Sequence, residues 1–213
     1  MKIVLILNIT FKENFLLKNK VKDYRAKLSN KKVGIAGCGG LGSNCAVALA
    51  RVGVGELIIA DFDVIVQGNL NRQYFFYDQI GQKKAFALME NIKRIDNTIR
   101  VKAYDIKLTP ELIIEVFKDC DVIVEAFDLA EMKKMIIETV LSEMPEKWIV
   151  TGIGLAGIGQ SNIIISRQIE KLVICGDETT EVSEELPPLA PRVGIVANMQ
   201  ANEVLDILLN KMK

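Results

Sequence analysis

The chain has no histidine among its 213 residues. Histidine is the side chain that changes charge near neutral pH, so its absence closes several mechanisms to this chain acting alone. Ser–His and Cys–His nucleophile pairs are excluded, as are histidine metal sites. Cysteine is also scarce. The four present (Cys38, Cys45, Cys120 and Cys175) form no C-x-x-C pair, so no structural zinc is expected. Cys38, Cys45 and Cys175 lie beside apolar or glycine residues and Cys120 between two aspartates; all four read as buried reduced thiols, with the cytoplasm as the expected compartment. Excess charge is missing too: 27 Lys plus Arg balance 27 Asp plus Glu. That balance leaves no electrostatic footprint for nucleic acid or an anionic membrane, and neither is expected as a partner. No apolar run approaches the roughly 18 residues of a membrane span. The opening MKIVLILNIT is too short for a signal core and lacks a small-residue cleavage site. A soluble chain is expected.

What the chain does have is one dense stretch, Lys32 to Asp63 (KKVGIAGCGGLGSNCAVALARVGVGELIIADFD, from Lys31). It reads as an apolar strand, a glycine turn (Gly37, Gly39, Gly40, Gly42), an Ala-rich helix from near Leu41, and a second strand ending at Asp61. Gly37, Gly39 and Gly42 have the G-x-G-x-x-G spacing of a βαβ nucleotide turn. The turn lets backbone approach a phosphate, and the helix start offers unpaired N–H groups to an anion. Asp61 is placed to accept the hydroxyl protons of a ribose. The alternative is a tight turn in a protein that binds no nucleotide.

Around that unit the chain reads as two parts, an N-terminal arm over 1–30 and one nucleotide-binding domain over 31–213. The arm carries a short strand candidate and a lysine-rich segment from Phe11 to Leu28, or else a partly ordered tail. Helical apolar spacing recurs from Gln82 to Ile95, Thr109 to Phe117 and Leu129 to Leu141. Strand candidates lie at Arg100–Tyr104, Asp121–Glu125 and Trp148–Val150. This alternation predicts an α/β, Rossmann-like three-layer fold with a mostly parallel sheet. SNIIIS and KLVIC follow, joined by the polar link Arg167 to Glu170, and extend the sheet as antiparallel C-terminal strands. Residues 176–191 are rich in acid and proline and read as a surface loop. A terminal helix is expected from Arg192 to Met212.

A glycine turn alone suits NAD, FAD, S-adenosylmethionine or ATP. The block Asn69-Leu70-Asn71-Arg72-Gln73, followed by Gly81-Gln82-Lys83-Lys84, narrows the choice. Arg72 can fork onto phosphate oxygens and Lys84 can act as a point charge. Asp128, just past a strand end, would face the polyphosphate through a hard cation, which suggests Mg²⁺. The alternative for Arg72 and Lys84 is a solvated surface pair. For Asp128 it is a cap on the helix from Leu129.

With these motifs in order, GxGGLGS, DFD, N-L-N-R-Q, G-Q-x-K and Asp128, the chain resembles the adenylation domain shared by ThiF, MoeB and ubiquitin-activating enzymes. The later C-G-D (Cys175 to Asp177) and A-P-R-V-G (Ala190 to Gly194) resemble the short ThiF-type proteins of thiamine biosynthesis. The resemblance implies an ATP- and Mg²⁺-dependent adenylyltransferase acting on the C-terminal Gly-Gly of a ubiquitin-like sulfur carrier protein, and a homodimer. It implies nucleotide contacts from Gly37, Gly39, Gly40, Leu41, Gly42, Asp61, Asp63, Asn69, Arg72, Gln73 and Lys84. Arg72, Lys84 and Asp128 would be catalytic, with Asp128 the metal ligand. Such a reaction needs no histidine, because a carboxylate nucleophile is already ionised. The larger relatives' zinc cysteines are absent, and only Cys175 could be considered for a thioester. Glycines 152, 154, 157 and 159 either provide a track for a Gly-Gly tail or form a flexible crossover. Two rival classes are a nicotinamide-dependent oxidoreductase, from the glycine turn plus Asp61, and a non-catalytic partner with the same fold.

Overall fold

The computed structural model describes residues 11–212; the strand expected in the first ten residues lies outside them. Helix α1 (Phe11–Leu28) precedes strand β1 (Lys32–Ala36), helix α2 (Gly40–Val52) and strand β2 (Glu56–Ala60). Then come α3 (Lys84–Ile95), β3 (Arg100–Tyr104), α4 (Pro110–Phe117), β4 (Val122–Glu125), α5 (Ala130–Glu143) and β5 (Trp148–Gly152). The chain closes with β6 (Ile165–Ile169), β7 (Leu172–Gly176) and α6 (Ala190–Asp206).

The described strands form one seven-stranded sheet in the order β3-β2-β1-β4-β5-β7-β6. The runs of β1, β2, β4 and β5 are nearly all buried because both faces of these central strands are covered. Val33 and Ile35 of β1 face the core under α2, α3 and α6, whereas Ala36 belongs to the core under α4 and α5. Two helical layers thus sandwich the sheet, and the α/β, three-layer reading holds. Leu28, at the end of α1, is buried in the larger core.

Helix ends follow local chemistry. Thr109 caps α4, its hydroxyl accepting from the Leu112 amide at 3.3 Å, with Pro110 in the first turn. Gly53 ends α2 at φ 89°, returning its N–H to the last carbonyls.

Two boundaries differ from expectation. Ser161–Ile163 winds a 3₁₀ turn, so β6 starts later and runs through Arg167 to Ile169, the segment read as a link. The true link is Glu170-Lys171, with Glu170 at φ 51°, a hairpin without the glycine or asparagine that would have marked it. Among the described strands only β6 is antiparallel; β7 runs parallel to β5. The terminal helix begins at Ala190. Its apolar residues Val193, Val196, Ala197 and Val204 are buried in the core.

Candidate nucleotide site at the sheet's reversal point

The strand order reverses between β1 and β4, where ligands of open α/β sheets bind beyond the carboxyl ends of the strands. Gly37 leaves β1 at φ 94°, so close to the chain leaving β4 that an added Cβ would lie 2.8 Å from the Ala126 carbonyl. A Cβ at Gly42 would sit 1.8 Å from the Gly37 carbonyl. These two glycines are therefore required by packing. Gly39 is more open, whereas a Cβ at Gly40 would meet Val193 Cγ1 at 3.0 Å. No side chain caps the start of α2, and no acid lies in its first turn, so its N–H dipoles remain available to an anion.

The excursion from Val64 to Lys83 is tied at its base by a bridge between those two residues. Its far end folds back over the turn: a Cβ at Gly40 would meet Arg72 Cγ at 3.4 Å, and one at Gly39 would meet Gln73 Nε2 at 3.7 Å. Asn44 holds it there, its amide donating to the carbonyls of Arg72 (2.9 Å) and Gly40 (2.7 Å). Ser43 Oγ accepts the Tyr74 amide at 2.9 Å and donates to the Gly39 carbonyl at 2.6 Å. Arg72 spends its guanidinium only locally, on Asn71 Oδ1 (2.8 Å) and the Gly68 carbonyl (3.3 Å). Gln73 is buried, and its Oε1 has no partner among the described residues, a deficit that a ligand donor would satisfy. Asn69 accepts the Val66 amide at 3.1 Å, closing its own turn.

Asp61 ends β2 beside the glycine turn. Its carboxylate accepts the Cys38 amide at 2.6 Å and the Asp63 amide at 2.7 Å. Burial pushes its pKa up, against those hydrogen bonds and Lys84, which pull it down. Each carboxylate oxygen keeps a second lone pair for a hydroxyl. Lys84 is neither solvated nor free: its side chain is 7% exposed and its Nζ lies 2.8 Å from Asp63 Oδ2. That pair holds the D-F-D segment to the start of α3, with the Lys84 amide also donating to the Asp63 carbonyl at 3.0 Å.

Across the turn, Asp128 is exposed. Leu129 occupies the N-cap of α5, and no side chain caps that end, so the capping alternative for Asp128 fails. The loop that carries Asp128 is braced from below by groups the sequence did not reveal. Glu125 is fully buried and accepts Lys133 Nζ on both oxygens (3.1 and 2.9 Å), the Phe127 amide (2.7 Å) and the Thr151 hydroxyl. Lys133 also donates to the Gly152 carbonyl at 2.9 Å, and Gln200 donates to the Glu125 carbonyl at 3.0 Å. Among the described residues no three His, Cys, Asp or Glu stand together as a metal set. A cation at Asp128 would therefore need oxygens from its ligand.

Gly154, Gly157 and Gly159 all adopt positive φ. A Cβ at Gly154 would strike the Asp177 carboxylate, and one at Gly157 would meet Leu186 at 2.7 Å. At those two positions glycine serves the loop's own packing. All four cysteines are buried and free. Burial pushes the Cys175 thiol up to about 12, an environment opposed to thiolate chemistry. A groove of about 400 Å³ between α4 and α5 contains none of the nucleotide-binding candidates. No described helix is long and apolar enough to cross a membrane.

Among known proteins, the adenylyltransferase and sulfurtransferase MOCS3 of Dictyostelium discoideum is 29% identical over 198 residues. The match covers 86% of this chain and 44% of that protein. The probable adenylyltransferase/sulfurtransferase MoeZ of Mycobacterium tuberculosis is 33% identical over 128 residues, covering 59% and 33% respectively. The chain thus spans less than half the length of these curated relatives. Among solved structures, E. coli tRNA N6-threonylcarbamoyladenosine dehydratase TcdA, in complex with ATP, superposes with a TM-score of 0.81 at 19% identity. That match covers 95% of this chain and 97% of TcdA and shows a shared fold. The sequence profile of the ThiF family matches residues 11–213, and the chain belongs to that family.

Proposed function

We propose that the chain is an ATP- and Mg²⁺-dependent adenylyltransferase that activates the C-terminal Gly-Gly carboxylate of a ubiquitin-like sulfur carrier, in thiamine biosynthesis. The observation that carries this reading is the placement of Arg72 and Gln73 across the uncapped start of α2, between Asp61 and Asp128. That arrangement suits a nucleotide whose ribose meets Asp61 and whose phosphates meet amides and a guanidinium. The names of the curated relatives support adenylyl transfer, and the C-G-D and A-P-R-V-G segments favour the thiamine branch.

In the reaction an oxygen of the carrier carboxylate bonds to the α-phosphorus of ATP. The bond from that phosphorus to the bridging oxygen breaks, and its electron pair leaves with pyrophosphate. No proton is transferred, so no general base is needed. The chain's task is to align the carboxylate and to stabilise charge developing on the departing group. Arg72 does this from above the turn, and the α2 amides from below. Lys84 acts at one remove, by fixing Asp63. Magnesium, when bound, neutralises phosphate charge. Asp128 would hold it, since Mg²⁺ commonly takes one or two carboxylates plus phosphate oxygens.

Incubation with ATP, Mg²⁺ and a carrier ending in Gly-Gly is expected to give carrier acyl-adenylate by mass and carrier-dependent pyrophosphate exchange. An unmodified carrier and no exchange would refute the assignment, and displacement of ATP by NAD would revive the oxidoreductase reading. A second reading comes from TcdA, whose whole length matches this fold: an ATP-dependent reaction on a tRNA-borne group. Turnover with tRNA in place of the carrier would favour it, although the zero net charge does not.

We also propose a homodimer. Its interface would use the exposed apolar residues Phe62, Val66, Phe76, Tyr77 and Phe86, between the end of β2 and the first turn of α3. Light scattering on the same sample is expected to give twice the chain mass; a monomer would exclude it.

A further inference from the structure

Two sequence segments with no chemical role so far meet in space. Arg192, from A-P-R-V-G, is 3% exposed and pairs through Nη2 with the Asp177 carboxylate of C-G-D. Its Nη1 donates to the Gly159 carbonyl at 2.6 Å. Asp177 in turn accepts the amides of Thr179 and Thr180, each at 2.8 Å, and the Thr180 hydroxyl at 2.8 Å. Burial raises the Asp177 pKa, but these bonds outweigh it and hold the carboxyl well below the usual range. Three separate segments are clasped together: the loop after β5, the end of β7 and the first turn of α6.

Beside the clasp lies a cleft of about 200 Å³, walled by Ile158, Gly159, Leu189, Pro191, Arg192 and Ile195. Ile158 is 79% exposed and Ile195 40%, so its apolar rim is open to solvent. The cleft is smaller than the ~300 Å³ at which small-molecule pockets begin. It cannot take a nucleotide, but it can take one side chain. The charge of Arg192 is already met by Asp177, so the cleft favours an uncharged occupant. Its position suggests what that occupant is. Val193, the residue after Arg192, packs against the nucleotide turn, where a Cβ at Gly40 would meet Val193 Cγ1 at 3.0 Å. Consecutive residues of one helix therefore bound both the cleft and the turn where the acceptor carboxylate must arrive.

We propose that the cleft is a specificity pocket for an apolar residue of the acceptor, next to its terminal glycines, and that Arg192 and Asp177 are the positioning pair that shapes it. The proposal rests on the adenylyltransferase reading and deepens it.

The test uses the full chain and two peptides with a free C-terminal Gly-Gly, preceded by either leucine or aspartate. Pyrophosphate exchange is expected to show a lower acceptor KM for the leucine peptide, by about tenfold or more. Ile158→Glu, on an exposed residue that the fold does not need, is expected to raise the leucine-peptide KM about tenfold and leave the ATP KM within about twofold. Arg192→Gln should act the same way, with partial recovery in Arg192→Lys, which keeps a donor for Asp177. Methyl NMR shifts of Ile158 and Ile195 report peptide binding whether or not transfer occurs. Absent methyl shifts, no leucine preference, an unchanged acceptor KM in Ile158→Glu, or an ATP KM that moves in parallel would each overturn the pocket. A wild-type chain that binds the leucine peptide at these methyls, yet exchanges no pyrophosphate, would support the pocket and refute adenylation instead.

Discussion

Replacing Arg72 with alanine is expected to slow acyl-adenylate formation by about 10²–10³-fold, the usual effect of removing one donor from developing negative charge. The melting temperature should stay within about 2 °C, as for surface changes that touch no core feature. The reason for a clean result is structural: the guanidinium bonds only to Asn71 and the Gly68 carbonyl, inside its own loop. Lys84 would be a poorer probe, because its removal leaves Asp63 unpaired and frees the start of α3. Single-turnover rates with saturating ATP and carrier, beside a thermal melt, make the measurement. A folded variant with wild-type rates would remove the charge-stabilising role of Arg72. It would also turn attention to the non-catalytic partner reading.

Gly42→Ala and Gly39→Ala are expected to separate folding from binding within a single turn. At Gly42 the new Cβ would lie 1.8 Å from the Gly37 carbonyl, so α2 must move off β1. Overpacking of this kind costs about 3 kcal/mol, which corresponds to a loss of about 6–12 °C in melting temperature for a chain of this size. At Gly39, with φ −75°, the nearest atom to a new Cβ is Gln73 Nε2 at 3.7 Å, an ordinary contact. Stability should hold there, while ATP affinity falls because the methyl occupies the space a phosphate would approach. Denaturant melts and ATP titration calorimetry on the two variants check this. Equal stability losses would show that packing does not distinguish the two glycines, and unchanged ATP binding in Gly39→Ala would place the phosphates elsewhere.

The features legible in the sequence were those set by neighbours along the chain. Gly37, Gly39 and Gly42 announce their turn because the requirement is local, and β1, β2 and β4 announce themselves as buried apolar runs. Asp61 follows from the end of β2. What escaped was partnership across the fold. Nothing near Asn44 says that its amide will hold the Arg72 carbonyl, and nothing near Glu125 marks it as the buried acceptor for Lys133 and Thr151. Lys84 reads in the sequence as a point charge for phosphate, and spacing could not show its ammonium paired with Asp63. Asp177 and Arg192 were visible as motif members, yet their pairing spans 15 positions and no local pattern marks it.

Among the described residues, the β6–β7 hairpin leaves the sheet with an open border. β6 is its last strand, and every one of its five residues is exposed. A bare margin of this kind invites a foreign chain to zip on. Two properties oppose such recruitment: the strand is short, and Arg167 at its centre is held by Glu178 at 2.9 Å, planting an ionic gatekeeper where a smooth hydrophobic rail would otherwise promote fibrous self-assembly.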